Sequence, residues 1–201
     1  MSLFIVSIVT GVVCGIISSL IVWWYLYHYL SPKLEFSDSL AKLPSKDRGC
    51  GYYYQFKMHN ARKRKAIDLS FKCQMVFPDF PKQGTDNLYD IPLGTTQMME
   101  LHPAYKGGRV RKRITFNLDD VEFRKKFQKS FFPDYINNSA IENKLFLEEL
   151  LSIANGSYLR VFISATDGIS GSKRVLRTKN YFKEDIVFGD FEKKSLKVIP
   201  R

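Results

Sequence analysis

The first thirty residues contain no Lys, Arg, Asp or Glu, although the 201-residue chain carries a formal net charge of +11. Within them, residues 3–24 form one apolar run, interrupted only by the small residues Ser, Thr, Gly and Cys. An α-helix rises ~1.5 Å per residue, so about 20 apolar residues cross the ~30 Å hydrocarbon core of a bilayer. Lipid is the natural solvent for such a run. The chain therefore divides into a transmembrane anchor, residues 1–30, and a domain, residues 31–201, that holds every charged side chain. Trp23, Trp24, Tyr25, Tyr27 and Tyr29 gather at one end of the run. Amphipathic rings prefer the boundary between lipid and water, so these residues are expected at a membrane interface.

A cleaved signal peptide would begin with basic residues, carry a shorter apolar stretch and end at a small-residue cleavage site. None of these is present, so the segment is expected to remain as an anchor. No Lys or Arg precedes it, whereas Lys33, Lys42, Lys46 and Arg48 follow closely. Positive charge is retained on the cytoplasmic side, which predicts a single pass through a cytoplasmic membrane, N-terminus outside and domain inside. Cys14 lies within the span, and Cys50 and Cys73 show no disulfide spacing. Asn137 and Asn155 begin Asn-x-Ser patterns, which have no glycosylation consequence on a cytoplasmic domain.

Residues 34–40 alternate apolar and polar positions and predict a first strand. Tyr52, Tyr54, Phe56 and Met58 share one face at period two, as do Ile67, Leu69, Phe71, Cys73, Met75 and Phe77. The intervening residues 59–65 read as a hairpin turn. Residues 78–94, rich in Pro, Gly, Asp and Asn, predict a loop with at most a short strand. Residues 95–101 form another short segment, and Val110, Ile114, Phe116 and Leu118 define a further strand. Ile141, Leu145, Phe146, Leu150 and Leu151 recur at helical spacing, with Asn155-Gly156 as a stop. Leu159, Val161, Ile163 and Ala165 alternate again. Turn residues 167–171 then join them to a partner strand over 175–182, and a last strand is predicted over 190–198. Many short alternating strands around one helix predict a mainly β fold: an antiparallel β-sandwich with one short inserted helix.

Two stretches carry a resemblance to a known family. The first joins Leu34-Glu-Phe-Ser to the segment from Tyr54 through Asn60-Ala-Arg-Lys to Met75. The second joins Val161-Phe-Ile-Ser-Ala-Thr-Asp-Gly-Ile-Ser-Gly to Asn180-Tyr-Phe-Lys-Glu-Asp-Ile-Val-Phe-Gly-Asp-Phe. In order and spacing, over most of residues 34–198, the chain resembles the cytoplasmic domain of inward-rectifier potassium channels. The resemblance implies an immunoglobulin-like β-sandwich that assembles below the membrane as a tetramer. It also implies that Arg62 and Lys63 face the inner leaflet and contact phosphoinositides. The chain departs from that family in having one apolar helix and no Thr-x-Gly-Tyr-Gly-like filter, so a potassium-selective pathway of rings of carbonyls is not expected.

Arg62, Lys63, Arg64 and Lys65 form the densest charge cluster, on a turn that holds the four side chains together, and Lys33 lies near the bilayer by connectivity. Each cation near an anionic membrane surface contributes about 1 kcal/mol. An ordinary solvated turn would have the same composition, so charge alone does not separate the two readings. Arg109, Arg111, Lys112, Arg113, Arg124, Lys125 and Lys126 add basic patches. Without a stacking platform or a nucleic-acid module beside them, nucleic acid is not an expected partner. Gly11, Gly15 and Ser19 form a small-residue ridge of the kind through which membrane helices self-associate. Metal and catalytic sites have little to build on: His28, His59 and His102 are isolated, and the pairs Asp119-Asp120 and Glu148-Glu149 diverge on their elements. No cofactor, metal site or enzymatic activity is expected.

The expected function is a non-enzymatic, membrane-anchored sandwich that binds a partner, an anionic lipid or a small ligand, and that forms a homo-oligomer, dimer or tetramer. Two further readings are an effector whose helices open a pore when the sandwich binds a signal, and an accessory subunit of a larger membrane complex with a protein partner.

Overall fold

In the computed structural model the described residues are 2–26, 29, 31–81, 84–103, 112–193 and 195–200. The apolar run folds as α1 (Ser2–Tyr25), and its stretch Phe4–Tyr25 is long and apolar enough to span a membrane. No part of that span is buried against the rest of the chain. The domain's core therefore forms without α1.

Eleven strands follow among the described residues: β1 (Leu34–Phe36), β2 (Leu40–Pro44), β3 (Tyr52–Asn60), β4 (Ala66–Phe77), β5 (Asn87–Ile91), β6 (Gln97–Leu101), β7 (Lys112–Thr115), β8 (Tyr158–Asp167), β9 (Lys173–Arg177), β10 (Ile186–Phe191) and β11 (Val198–Pro200). They form two sheets. In the first, β3 pairs with β1 at its C-terminal end, β2 at its N-terminal end and β7 along its middle. β2 continues to β10 in a parallel pair, and β10 to β11. In the second, β4 pairs with β8 over most of its length, with β5 and β6 at its two ends, and β8 pairs with β9. Tyr54, Phe56 and Met58 of β3 and Leu69, Phe71, Cys73, Met75 and Phe77 of β4 meet Leu159, Val161, Ile163 and Ala165 of β8 in one buried core. The architecture is the mainly β sandwich that the alternation predicts.

β3 and β4 are not the hairpin expected from their sequence. Each belongs to a different sheet, and residues 61–65 cross between the two. Period-two burial is the same whether consecutive strands pair side by side or face each other across a core, so periodicity is silent on the choice. Asn60 fixes the crossing. Its side-chain amide donates to the carbonyls of Arg64 (2.7 Å) and Leu101 (3.2 Å), and its side-chain oxygen accepts from the Arg62 N–H (2.9 Å). The phase of β4 is also broken. A register shift lies between Ile67 and Ser70, with Asp68 at φ +49°, so Ala66 and Leu69 are buried while Ile67, expected inside, is only half-buried.

The expected single helix over residues 141–151 is instead divided. Three short helices occupy the insert, α2 (Val121–Lys125), α3 (Asp134–Ile141) and α4 (Leu147–Leu150). Asn143 at φ +59° lies between the last two, and Ile141, which spacing placed on the apolar face, is 66% exposed. The Asp120 carboxylate caps α2 by accepting the Phe123 N–H at 2.8 Å. The insert buries Phe123, Phe127 and Phe132 beside Phe77 and Tyr89, with ring centroids 5.0 Å apart for Phe123 and Phe127 and 5.1 Å for Phe127 and Phe132. This cluster closes the sandwich at the Phe77 end of β4. The opposite end, at Ala66, adjoins the crossing turn and the foot of α1. The predicted first strand is likewise two strands, β1 and β2, and the last strand, expected over 190–198, is not continuous: that span runs from the end of β10 to the start of β11.

Candidate functional site

Three segments distant in sequence meet at the Ala66 end. The first is the end of α1, where Tyr25 and Tyr29 stack with centroids 5.0 Å apart and Trp24 meets Tyr29 edge-on at 6.1 Å. The second is the crossing turn. The third is the turn between β8 and β9. A cavity of about 540 Å³ lies between them, lined by Tyr25, Tyr29, Arg62, Lys63, Arg64 and Asp167. Three cations and two phenol rings thus surround one space beside the exit of an apolar helix.

The backbone holds these segments in place. The Ala61 N–H donates to the Lys33 carbonyl (2.9 Å), tying the turn to the chain that leaves α1. The Gly168 N–H donates to the Lys65 carbonyl (3.0 Å), tying it to the β8–β9 turn. A side chain at Gly168 would bring its Cβ within 2.9 Å of Lys65 Cγ and 3.2 Å of the Lys65 carbonyl, so the approach requires glycine. Asp167 is almost completely buried. Its Oδ1 accepts from the Ile169 N–H (3.0 Å), the Ser170 N–H (2.8 Å) and the Ser170 hydroxyl (2.9 Å), and lies 3.8 Å from Arg64 Nη1. Burial alone would push this carboxyl up, but the hydrogen bonds from Ser170 and Ile169 and the charge of Arg64 outweigh it and hold the pKa below the ordinary aspartate value.

Of the five basic residues singled out in the sequence, Arg62, Lys63 and Arg64 line the cavity. Lys65 pairs with Glu100 at 3.1 Å, and the side chain of Lys33 lies 3.7 Å from Glu35. Lys65 and His102 together hold the Glu100 carboxyl below its usual range. Tyr25 joins the cavity, Trp23 and Trp24 are exposed on α1, and Tyr27 lies outside the described residues. Gly11 and Gly15 face open space, with no atom within 4 Å of an added Cβ, while the Ser19 hydroxyl donates to the Gly15 carbonyl at 2.8 Å. Asp167 was legible only as a turn residue. Nothing in its local sequence announces that it meets Arg64.

The other basic residues are largely engaged by the fold. Arg113 pairs with Asp190 at 2.8 Å, Lys125 with Glu122 at 2.8 Å, and Arg124 donates to the Ala140 and Asp119 carbonyls. Arg109 and Arg111 lie outside the described residues. Two of the histidines are less isolated than the sequence implied, His59 Nε2 being 3.1 Å from Glu35 and His102 Nε2 2.9 Å from Glu100, and His28 lies outside the described residues. Among the described residues no three His, Cys, Asp or Glu side chains gather as a metal would require. Cys50, in the turn between β2 and β3, is buried, and desolvation pushes its pKa up, as it does for Cys73 in the core. The adjacent carboxylates diverge: Asp119 accepts from Arg48 (3.0 Å) while Asp120 caps α2, and Glu148 accepts from Lys42 (2.7 Å) and the Tyr54 hydroxyl (2.5 Å).

A scan of protein-family models gave no match to this sequence, and a search of curated proteins gave no significant one.

Proposed function

We propose that the chain is a non-enzymatic, single-pass membrane protein whose β-sandwich binds anionic lipid headgroups at the cytoplasmic surface. The observation that carries this reading is the cavity in which Arg62, Lys63 and Arg64 stand beside Tyr25 and Tyr29. Aromatic rings at the end of an apolar helix mark the depth of the interface. Cations held at that depth face headgroup phosphates, where each contributes about 1 kcal/mol. Asp167 offsets part of the charge and orients Arg64, leaving the cavity positive on balance. The Lys and Arg excess after the helix favours a domain on the cytoplasmic side. The open Gly11, Gly15 and Ser19 ridge favours self-association of the helices, and the resemblance to inward-rectifier cytoplasmic domains agrees with a homo-oligomer.

The test is co-sedimentation of residues 31–201 with phosphatidylglycerol vesicles, against neutral phosphatidylcholine vesicles. Replacing Arg62, Lys63, Arg64 and Lys65 with Gln should weaken anionic binding by on the order of 2–4 kcal/mol at low salt. Unchanged binding of that variant would remove the lipid reading. Leakage of dye from vesicles holding the full chain, triggered by a soluble ligand, would favour the pore-forming reading instead.

A further inference from the structure

Ile169 stands 74% exposed at the tip of the β8–β9 turn, the same turn whose Asp167 lines the cavity at the foot of α1. Its position is fixed. The Asp167 carboxylate holds the N–H groups of Ile169 and Ser170, the Gly171 N–H donates to the Asp167 carbonyl (3.1 Å), and the Asp167 N–H donates to the Ser172 carbonyl (2.9 Å). Gly171 at φ +68° completes the reversal. An isoleucine held rigidly in water forgoes the favourable burial of nearly its whole side chain.

Location identifies what covers it. Two residues of chain span at most about 7 Å, so Ile169 is within that reach of Asp167 and hence of a cavity bounded by Tyr25, in the last turn of the apolar helix. The Gly168 N–H bonds the basic turn directly. Lys65, whose ammonium pairs with Glu100, and Lys173 and Arg174 at the start of β9 are exposed near the tip. An apolar side chain with basic residues near it, two positions along the chain from a cavity that Tyr25 and Tyr29 also line, has the composition of a surface that dips into the headgroup and acyl boundary. Because cations cluster around the tip, close approach of the same turn from a second copy would set like charges against one another.

We infer that the β8–β9 turn is a second membrane contact, in which Ile169 inserts at the bilayer interface while the neighbouring cations meet headgroup phosphates. This rests on the reading of α1 as a membrane anchor. With α1 it gives the domain two points of attachment, which restrict its tilt and keep the Arg62–Arg64 cavity against the bilayer.

Fluorescence depth measurement tests the insertion in the full chain reconstituted into mixed phosphatidylcholine and phosphatidylglycerol vesicles. The chain has two Trp residues, Trp23 and Trp24, which report on the anchor in the unaltered protein. A single reporter is placed by Ile169→Trp in a background of Trp23→Phe and Trp24→Phe. Quenching by lipids brominated near the headgroup, with a blue-shifted emission, is the expected result. Emission from position 169 that stays unquenched and solvent-like, while Trp23 and Trp24 are quenched in the unaltered chain, overturns the insertion and leaves the anchor standing. If neither is quenched, both readings fail. Disulfide cross-linking between copies through Ile169→Cys, with no lipid quenching, would name a second copy as the occupant and overturn the proposal. Should the Trp variant fail to fold, an environment-sensitive nitrobenzoxadiazole label on Ile169→Cys, with Cys14→Ser, reads the same depth.

Discussion

Replacing Asp167 with Asn should make the domain less stable and, at the same time, a tighter binder of anionic membranes. The carboxylate is nearly buried and accepts three hydrogen bonds from Ile169 and Ser170. Hydrogen bonds to a charged acceptor are worth about 1.5–3 kcal/mol against about 1 for neutral pairs, and an amide oxygen retains only the weaker kind. Arg64 at 3.8 Å adds less than its separation suggests, because its side chain is 35% exposed and water screens the pair to about 1 kcal/mol or below. A net loss of about 2 kcal/mol follows. With a urea dependence of about 2 kcal/mol per molar for a domain of this size, the unfolding midpoint of residues 31–201 drops by about 1 M.

The pH dependence has a fixed sign. The folded carboxyl titrates below the ordinary aspartate value of 3.8, so its stabilisation is complete above that value and is lost as pH falls through the lower folded pKa. The gap between native and Asn proteins should therefore be constant near neutrality and close in acid. Vesicle binding moves the other way. Losing one negative charge beside the cavity strengthens attraction to phosphatidylglycerol by about 1 kcal/mol, roughly five-fold. A variant as stable as the native protein, or one that binds anionic vesicles more weakly while folded, would refute this account of Asp167.

Glu148→Ala removes the acceptor of the buried Tyr54 hydroxyl and the partner of Lys42, and should cost about 2–3 kcal/mol in urea unfolding. Tyr54→Phe in the same background should recover part of that loss, because the orphaned hydroxyl is then gone. Phe77→Ala opens the aromatic cluster that closes the far end of the sandwich and should cost about 3–5 kcal/mol by the same assay, while vesicle binding of the folded fraction stays unchanged.

The apolar run and the alternating strands were decided by local chemistry. Lipid solubility depends on composition and length, and a half-buried strand repeats every second residue whatever it pairs with. Those two facts determined from sequence alone the helix over Ser2–Tyr25 and the inward faces of β3, β8 and β4 from Leu69 onward, while turn-forming residues marked the reversal after Asp167. Sequence also marked Arg62, Lys63 and Arg64 as one cluster, since adjacent residues on a turn cannot separate far.

Tertiary structure decided everything that depends on which segment meets which. β3 and β4 face each other across a core instead of pairing, because the edges of β3 are filled by β1, β2 and β7 and those of β4 by β5, β6 and β8. The helical insert breaks at Asn143, whose left-handed backbone no apolar spacing could reveal. Lys65 leaves its neighbours for Glu100, 35 residues away, and Arg64 finds Asp167 at the end of β8, the strand that pairs with β4. Such contacts arise from chain closure over long separations, and local patterns of hydrophobicity and charge carry no record of them.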